Sequence, residues 1–275
     1  KLWPKVWCWA GMTHDLPNVG DYFRYDQGKD TFVVIRSAED RIQAFYNVCP
    51  HRGNFMVYDD FGSIKEGGSL YCKFHGWRFN LDGSVREVKD QHTFPPEALC
   101  GMKGLKEVRC EVWNSMVFIN QDPNAPSLEK CLDVIPEHLA NRDFSRMKIY
   151  DEVCGTIDAN WKTAIEAFIE FYHSDDTHPQ VIPITSTLKT QYDLYGQGTS
   201  RMIIPTGYSG DRARDPEEVT EGLKGFIAFF GGNNDEYTGI TGSDYRAAFA
   251  DTLRKWADRN GHTEQFDKLT EGAVT

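Results

Sequence analysis

Two short loops that each carry a cysteine and a histidine constrain this chain more than any other feature. The first loop contains Cys49 and His51 in a C-x-H pattern, and the second contains Cys72 and His75 in a C-x-x-H pattern. Neither loop can hold a metal alone, but two hairpin tips that meet would supply two thiolates and two imidazoles. This ligand set suits tetrahedral zinc, and it also suits a [2Fe-2S] cluster in which two histidines replace two cysteines on one iron. The spacing alone leaves both metals open.

The residues that flank these ligands favour the iron–sulfur cluster. A zinc site does not require Pro50, Gly53, Gly76 or Trp77. With them, Cys-Pro-His-Arg-Gly followed by Cys-x-x-His-Gly-Trp resembles the Rieske cluster-binding motif of aromatic ring-hydroxylating oxygenases. We expect Pro50 to stiffen the first loop, the two glycines to bring backbone N–H groups close to the bridging sulfides, and Trp77 to shield the cluster from water.

This resemblance also implies how the four ligands divide between the two irons. Cys49 and Cys72 would bind one iron, and His51 and His75 would bind the outer one. The stretch between the loops is a few residues longer than is usual in the family. We expect the additional residues to form a polar, glycine-containing loop tip within residues 59–68, which leaves the ligands in place.

Composition and charge narrow the class of protein. The 275 residues are 40% apolar, which suffices for a packed core in one large or two modest domains. The net charge of −11, from 41 acidic and 30 basic residues without a basic run, argues against nucleic acid or an anionic membrane as a partner. No apolar run reaches the roughly 20 residues of a membrane span, and the first residues do not resemble a signal peptide. We therefore expect a cytoplasmic protein.

The cysteine count does not indicate a disulfide framework. There are seven cysteines, an odd number, and the two in the metal motif are already assigned. The remaining five are expected to be reduced, buried and apolar: Cys8, Cys100, Cys110, Cys131 and Cys154. The chain begins without Met, and we expect it to be a fragment that is truncated at both ends.

Segments rich in β-branched and aromatic residues predict a small antiparallel domain, a sandwich or small barrel, around the two loops. The predicted strands are Thr31–Arg36, Arg41–Val48, Trp77–Asn80, Lys106–Trp113 and Met116–Ile119. The pair Asp82-Gly83 predicts a hairpin turn. A helix is predicted over Leu128–Leu139, and the domain boundary falls near Phe144, so the predicted domains are residues 1–143 and 144–275.

The second predicted domain mixes strand and helix. Met147–Ile157 alternates like a strand, and Asn160 is placed to cap a following helix. The packed face of that helix would contain Ile165, Phe168, Ile169 and Tyr172. A second amphipathic helix near the C-terminus would stop at Asn260-Gly261, and its face would contain Tyr245, Ala248, Phe249, Thr252, Leu253 and Trp256.

A polar ridge on the first of these helices is a candidate second metal site. Glu166, Glu170 and His173 fall at i, i+4 and i+7, a pattern that in most helices is simply a solvated face. However, His178 follows, and Pro179 would turn the backbone so that His178 comes back towards His173. Two neutral imidazoles placed in this way suit ferrous iron, with a carboxylate ligand still to be found.

The segment 160–179 resembles the mononuclear iron motif of the same oxygenases. The motif positions are filled by Glu170, Tyr172, His173 and His178. Ala167 stands where many members carry Asn, which changes the hydrogen bonding near the iron, and the family more often has Asp at the position of Glu170. With glutamate at this position, the chain resembles the monooxygenase and demethylase branches of the family. The resemblance implies that His173 and His178 bind Fe(II) and that the third ligand, an aspartate, lies beyond Thr275.

Together the two motifs resemble the large (alpha) subunit of a Rieske non-haem iron oxygenase. The resemblance implies an α+β chain in which a small antiparallel β Rieske [2Fe-2S] domain precedes part of a helix-grip-like α+β catalytic domain. It implies a [2Fe-2S] cluster and a mononuclear Fe(II), an NAD(P)H-fed reductase or ferredoxin as electron donor, and a homotrimer or α3β3 assembly. The implied reaction uses O2 to hydroxylate an aromatic or other small organic substrate.

Three alternatives stay open at this point. One is a Rieske-type monooxygenase or demethylase of a non-aromatic substrate. Another is a pure electron carrier, for which a second histidine motif and a long C-terminal extension would be superfluous. The third is a zinc-stapled binding module, which would be colourless rather than brown.

The resemblance gives Glu170 a catalytic role as the link between two metal centres. In the family's ring of three subunits, the cluster of one chain lies against the mononuclear iron of the next. One carboxylate oxygen of Glu170 would accept a hydrogen bond from His173, and the other would accept one from His75 of the neighbouring subunit. The competing interpretation is an ordinary surface glutamate.

Overall fold

The internal contacts of the chain divide it into two compact units, Lys1–Tyr150 and Asp151–Thr275. The structure is a computed structural model. It describes residues 2–102, 104–151, 153, 155–178, 181, 185–196, 198–205, 216–229, 231–237 and 244–271. No helix among these residues is long and apolar enough to cross a membrane.

The first unit is built mainly from strands. They are β1 (Cys8–Met12), β2 (Asp21–Gln27), β3 (Asp30–Ala38), β4 (Arg41–Tyr46), β5 (Phe61–Ser63), β6 (Leu70–Tyr71), β7 (Arg78–Phe79), β8 (Val85–Glu87), β9 (Glu107–Trp113) and β10 (Met116–Asn120). The helices are α1 (Pro96–Leu99), α2 (Leu128–Leu132) and α3 (Ile135–His138), with 3-10 turns at Trp3–Lys5, Thr13–Asp15, Gln91–Thr93 and Phe144–Arg146.

These strands form two antiparallel sheets. The larger sheet has the order β1-β10-β9-β4-β3-β2-β5, and the smaller one has the order β6-β7-β8. In the larger sheet, Val34 of β3 lies opposite Phe23 of β2 and Ala44 of β4. The predicted antiparallel β domain is therefore confirmed, and each predicted strand coincides with an observed one to within a few residues at its ends.

The central strand β3 buries side chains on both faces of the sheet. Successive side chains of a strand point to opposite faces, and Val33 and Ile35 belong to one core cluster while Phe32 and Val34 belong to another. All four are fully buried. The cluster on the Val33 side also contains both cysteines of the metal motif, so the main core of this unit supports the metal loops directly.

Two sequence predictions for the first unit need correction. Residues 59–68 are not only a loop tip, because β5 lies within them and pairs with the outer edge of β2, where Phe61 packs against Phe23 with ring centroids 6.3 Å apart. The helix predicted over Leu128–Leu139 is two helices. Asp133 separates them with φ of 52°, and Pro136 in the first turn of α3 lacks the N–H that a continuous helix would need.

The described part of the second unit contains helices and one hairpin. Its elements are α4 (Trp161–Glu166), α5 (Ser174–Thr177), β11 (Gln191–Tyr195), β12 (Thr199–Ile203), α6 (Pro216–Phe229), α7 (Asp244–Arg259) and α8 (Thr263–Glu271), with a 3-10 turn at Asn234–Tyr237. Strands β11 and β12 pair in antiparallel register, with Tyr192 opposite Met202. The mixture of helix and strand agrees with the predicted α+β class.

The strand predicted over Met147–Ile157 is wrong for the residues described there. None of them is in a strand, and the side chains of Tyr150 and Val153 are exposed. A strand needs a neighbour to take its N–H and C=O groups, and among the described residues this stretch pairs with none. Alternation of apolar and polar residues is therefore not enough to predict a strand in this stretch.

The helix predicted after Asn160 begins as expected but ends early. Asn160 caps it, since its side chain accepts a hydrogen bond from the N–H of Lys162 at 3.0 Å. Helix α4 ends at Glu166, and the apolar residues expected on its packed face are exposed: Ile165, Phe168, Ile169 and Tyr172. A continuous helix would pair the N–H of Phe171 with the carbonyl of Ala167, but that N–H donates to the Tyr192 hydroxyl at 2.8 Å instead.

The C-terminal amphipathic helix is confirmed as α7. Ala248 and Thr252 are buried on one face, whereas Trp256 is partly exposed. Gly261 follows the helix with φ of 72°, a left-handed conformation that glycine adopts readily at a helix end. The side chain of Tyr245 lies outside the described residues.

The cysteines outside the metal motif are less buried than predicted. Cys8 and Cys110 are half-buried, and burial raises the pKa of the Cys110 thiol to about 12. Cys100 and Cys131 are exposed: Cys100 lies at the end of α1, which buries no residue, and α2 buries Leu128 and Leu132 rather than Cys131. All cysteines in the described part of the chain are free thiols, and Cys154 lies outside that part.

Candidate metal centres

The two loops of the first metal motif have the same backbone turn. In the first loop, the N–H of Cys49 donates to the carbonyl of Asn54 at 2.8 Å, and the carbonyl of Cys49 accepts from the N–H of Gly53 at 3.0 Å. The corresponding residues of the second loop are Cys72, Trp77 and Gly76, with both distances at 2.9 Å. Each cysteine therefore lies at the start of a closed, hydrogen-bonded turn.

Both turns depend on a glycine. Gly53 and Gly76 have φ of 78° and 77°, a left-handed conformation that side chains with a Cβ rarely adopt. Their N–H groups donate to the cysteine carbonyls, and the approach of other backbone N–H groups to bridging sulfides stays a prediction. The glycines thus close the turns that present the cysteines.

The four predicted ligands form two pairs in the first unit, a buried pair of cysteines and a half-buried pair of histidines. Cys49 and Cys72 are 2% and 1% exposed, and burial raises the pKa of the Cys49 thiol to about 11. The rings of His51 and His75 lie in edge-on contact, with centroids 4.5 Å apart. Burial, and next the nearby His75, lower the pKa of His51, which favours the neutral imidazole that a metal requires.

An unpartnered nitrogen shows that these residues fit a metal group. Nδ1 of His51 is buried and makes no hydrogen bond, which is costly unless another group occupies its lone pair. The ring is held by Trp77, which is buried and stacks on it at 4.5 Å and 10°. Within the described residues, no three His, Cys, Asp or Glu side chains are gathered closely enough to bind one ion, and a Rieske cluster takes two protein ligands per iron.

A buried asparagine that the sequence analysis missed holds the first loop in place. Asn47 is fully buried just before the first cysteine. Its Oδ1 accepts hydrogen bonds from the N–H groups of Met56 and Val57 at 3.0 and 2.9 Å, and its Nδ2 donates to the carbonyl of Val57 at 2.8 Å. The only sequence signal was a polar residue at the end of an apolar strand, next to a ligand.

In the second unit, the structure brings Glu170 and His173 into contact. Nδ1 of His173 contacts Oε1 of Glu170, and the backbone N–H of His173 donates to Oε2 of the same carboxylate at 3.1 Å. A carboxylate can only accept, so Nδ1 carries the proton and Nε2 is left to bind a metal. The hydrogen bond from His173 lowers the pKa of Glu170 and keeps it ionised.

The two histidines of this motif are close to each other. The rings of His173 and His178 have centroids 5.3 Å apart and are inclined by 70°. The contact between Glu170 and His173 does not come from a shared helical face, because Glu170 lies beyond the end of α4. Glu166 is exposed at the end of that helix, and Pro179, which was expected to turn the backbone, lies outside the described residues.

Residues from farther along the chain form hydrogen bonds with this histidine segment. The hydroxyl of Thr187 donates to Oδ1 of Asp175 at 2.5 Å, between the two histidines in sequence. Tyr192 of β11 accepts from the N–H of Phe171. Sequence reasoning missed Thr187 and Tyr192, since neither belongs to a recognisable motif.

The two sets of residues define a class of protein. A pair of C-x-H and C-x-x-H turns in an antiparallel β unit suits a Rieske cluster, and a carboxylate-supported His-x4-His segment suits a mononuclear iron. Few proteins need both in one chain. The class is that of iron proteins that combine one-electron transfer with a second metal site.

Comparison with family models assigns both halves. Residues 6–108 match the model of the Rieske [2Fe-2S] domain, and residues 109–265 match the model of the ring hydroxylating alpha subunit catalytic domain. The chain belongs to the ring-hydroxylating oxygenase alpha-subunit family. The predicted family is confirmed, and the two matched domains imply the [2Fe-2S] cluster and the mononuclear iron.

Individual relatives agree with this assignment. The chain is 30% identical to the glycine betaine monooxygenase oxygenase subunit of Pseudomonas aeruginosa over 66% of this chain and 41% of that protein. It is 30% identical to the carnitine monooxygenase oxygenase subunit of Escherichia coli, over 72% and 53%. It is also 30% identical to the large oxygenase component of the naphthalene 1,2-dioxygenase system of Pseudomonas fluorescens, over 74% and 45%. The chain thus spans about half the length of these relatives.

Solved structures show the same fold. A quaternary ammonium Rieske monooxygenase in complex with an inhibitor superposes with a TM-score of 0.62 at 26% identity, over 72% of this chain and 56% of that one. Naphthalene 1,2-dioxygenase with indole bound gives a TM-score of 0.54 at 30% identity, over 66% and 41%. Both are Rieske-type oxygenases, which agrees with the predicted architecture.

Proposed function

We propose that this chain is the oxygenase component of a Rieske-type ring-hydroxylating system, which uses O2 and electrons from an NAD(P)H-fed reductase or ferredoxin to hydroxylate a small organic substrate. The observation that carries the proposal is the presence of both candidate metal centres in one chain. A pure electron carrier would need only the first centre, and a zinc module would not match the catalytic-domain model over residues 109–265.

The proposed ligands follow from the geometry of the two centres. Thiolates of Cys49 and Cys72 would hold the inner iron of the cluster, and His51 and His75 would hold the outer iron. Nε2 of His173, together with His178, would hold the mononuclear iron. When bound, the cluster supplies electrons one at a time and the mononuclear iron supplies the capacity to activate O2.

The other residues bind, orient and exclude water. Burial of both cysteines and the stacking of Trp77 on His51 keep water away from the inner side of the cluster. Glu170 keeps the proton of His173 on Nδ1, so that the other ring nitrogen faces away from the carboxylate. We further propose that Glu170 is the bridge to His75 of a neighbouring subunit.

The test uses protein expressed from the full reading frame that contains this chain. We expect brown protein with iron and acid-labile sulfide, and incorporation of 18O from labelled O2 into a hydroxylated product when a reductase and NAD(P)H are supplied. Replacing His51 by Ala should abolish the cluster signal. A colourless protein with stoichiometric zinc would refute the proposal.

A second candidate is monooxygenation of a non-aromatic quaternary ammonium compound. The relatives named for glycine betaine and carnitine and the one named for naphthalene share the same 30% identity, so sequence identity does not separate them. The higher TM-score of the quaternary ammonium monooxygenase and Glu170 at the acidic position both favour this candidate. The number of 18O atoms in the product distinguishes the two candidates, because a dioxygenase incorporates two of them and a monooxygenase incorporates one.

The assembly, the partners and the location are part of the same proposal. We propose a homotrimer or an α3β3 assembly in the cytoplasm, with a reductase or ferredoxin docking to deliver electrons. The role proposed for Glu170 supports an oligomer, because it needs a neighbouring His75. Sedimentation of the purified holoprotein measures the assembly, and a monomer at working concentration would contradict it.

A further inference from the structure

A side-chain amide of the first loop lies against a cysteine sulfur of the second. Nδ2 of Asn54 is 3.9 Å from Sγ of Cys72, within the range of a hydrogen bond to sulfur. We propose that Asn54 donates a hydrogen bond to the Cys72 thiolate and raises the reduction potential of the cluster, and that Tyr58 holds Asn54 in the orientation that donates. This inference rests on the cluster ligands of the proposed function.

The orientation of the Asn54 amide is fixed by its other partners. The hydroxyl of Tyr58 donates to Oδ1 of Asn54 at 3.1 Å, so the oxygen end of the amide faces Tyr58. The NH2 end has two donors. One donates to the carbonyl of Phe55 at 2.9 Å, and the other is directed at Cys72. Without the Tyr58 hydroxyl, a flipped amide would turn its oxygen towards the sulfur.

Tyr58 is itself held in place. Its carbonyl accepts a hydrogen bond from Nη1 of Arg24 at 2.6 Å, and the same arginine pairs with Asp60 at 2.8 Å, which fastens the segment to β2. The ring of Tyr58 lies 5.2 Å from Nζ of Lys73, the residue after the second cysteine. The relay from Tyr58 through Asn54 therefore joins the two metal loops.

Electrostatics gives the direction of the effect. The reduced cluster carries one more negative charge than the oxidised one, and part of it resides on the ligand sulfurs. A donor aimed at a sulfur stabilises the reduced state more than the oxidised state and raises the potential. Cys72 is 1% exposed, so no water replaces the amide when it is removed, and the low local dielectric enlarges the effect.

The test is a redox titration of the holoprotein, followed by visible absorption and by the electron paramagnetic resonance of the reduced cluster. Asn54→Leu keeps the shape of the side chain and removes the donor. We expect its ratio of reduced to oxidised cluster at a fixed potential to fall about tenfold, which is about 59 mV for a one-electron couple. Tyr58→Phe should shift the ratio in the same direction by less.

A control and a double variant sharpen the test. Tyr71→Phe removes a hydroxyl from an exposed tyrosine of the second loop that takes no part in the relay, and it should leave the potential unchanged. In the double variant of Asn54→Leu and Tyr58→Phe, the shift should equal that of Asn54→Leu alone, because Tyr58 acts only through Asn54. Additive shifts would overturn the relay.

The remaining outcomes separate this inference from the proposed function. An intact cluster with an unchanged potential in Asn54→Leu would overturn the inference and leave the proposed function untouched. Wild-type protein without any Rieske-type signal would instead refute the proposed cluster. If Asn54→Leu assembles no cluster, the reduction potential of Tyr58→Phe becomes the test, since Tyr58 is partly exposed and its substitution should leave the fold intact. A potential equal to that of the Tyr71→Phe control would then overturn the relay.

Discussion

A single carboxylate controls the proton of the imidazole that is proposed to bind the mononuclear iron. Glu170 contacts Nδ1 of His173 and also accepts from its backbone N–H, so it fixes both the ring and the chain at that residue. Such carboxylate–histidine pairs raise the basicity of the ligating nitrogen and set its direction. Glu170 would therefore serve the proposed metal site even without a role between subunits.

The first prediction concerns Glu170→Gln in protein from the full reading frame. The amide keeps the shape and can accept from His173, so both metal sites should stay occupied. It lacks the charge to bridge His173 to His75 of a neighbouring subunit, and we expect electron transfer from the reduced cluster to slow by orders of magnitude. Single-turnover mixing of prereduced protein with substrate and O2 measures this as the rate of cluster reoxidation.

Glu166→Gln is the matched control, since Glu166 is exposed at the end of α4. It should change stability by less than about 0.5 kcal/mol and leave the reoxidation rate unchanged. If Glu170→Gln reoxidises as fast as wild type, Glu170 is an ordinary surface glutamate.

At the scale of elements, one buried side chain satisfies the backbone groups that follow the first metal loop. Asn47 takes three hydrogen bonds with the segment that follows the first turn, and it does so from the end of β4 inside the core. These three hydrogen bonds are made by protein groups on both sides.

The second prediction is that Asn47→Ala destabilises the first unit by about 3 kcal/mol, because it leaves the buried N–H groups of Met56 and Val57 without partners. Cluster content should fall as well. Urea unfolding followed by fluorescence and by visible absorption of the cluster measures both effects. The control Asn124→Ala, at an exposed side chain, should behave like wild type. Equal stability of the two variants would show that the three hydrogen bonds of Asn47 do not stabilise the first unit.

The third prediction concerns the segment that carries His173 and His178. Thr187→Val removes the hydroxyl that bonds Asp175 while keeping the volume of the side chain. The segment should then move more freely, and affinity for Fe(II) at the second centre should fall roughly tenfold. Equilibrium dialysis against Fe(II) measures it. Thr163→Val, on the exposed side of α4, is the control, and an equal affinity in both variants would contradict the prediction.

At the scale of the whole molecule, the two centres differ in how well they are enclosed. The cluster cysteines are at most 2% exposed, whereas the side chain of His173 is 31% exposed. Thiolates in the core also bind iron more strongly than two imidazoles near solvent. The two centres should therefore lose their metals at different rates.

The fourth prediction follows from this difference. Brief treatment of the holoprotein with a mild chelator should remove the mononuclear iron and leave the two irons and two sulfides of the cluster. Metal analysis measures total iron and the visible spectrum measures the cluster, and added Fe(II) should restore the mononuclear iron. Loss of the mononuclear iron and of the cluster at the same rate would contradict the prediction.

Much of the fold and of both centres could be predicted from local sequence. The strands of the first unit follow from runs of β-branched and aromatic residues, and the turns at Gly53 and Gly76 follow from the need for positive φ. The cap at Asn160 and the stop at Gly261 are local as well. The physical cause of each of these features lies within a few residues of it in the sequence.

The rest depends on partners that are distant in sequence. Helix α4 ends early where Tyr192 takes a backbone N–H and Glu170 turns to His173, and β5 forms because β2 offers a free edge. The sequence by itself determined the family, through its two motifs, and most of the strands of the first unit. Only the tertiary structure decided how the loops are held and that Asn54 faces Cys72, because hydrogen bonds between distant segments leave no periodic trace in the sequence.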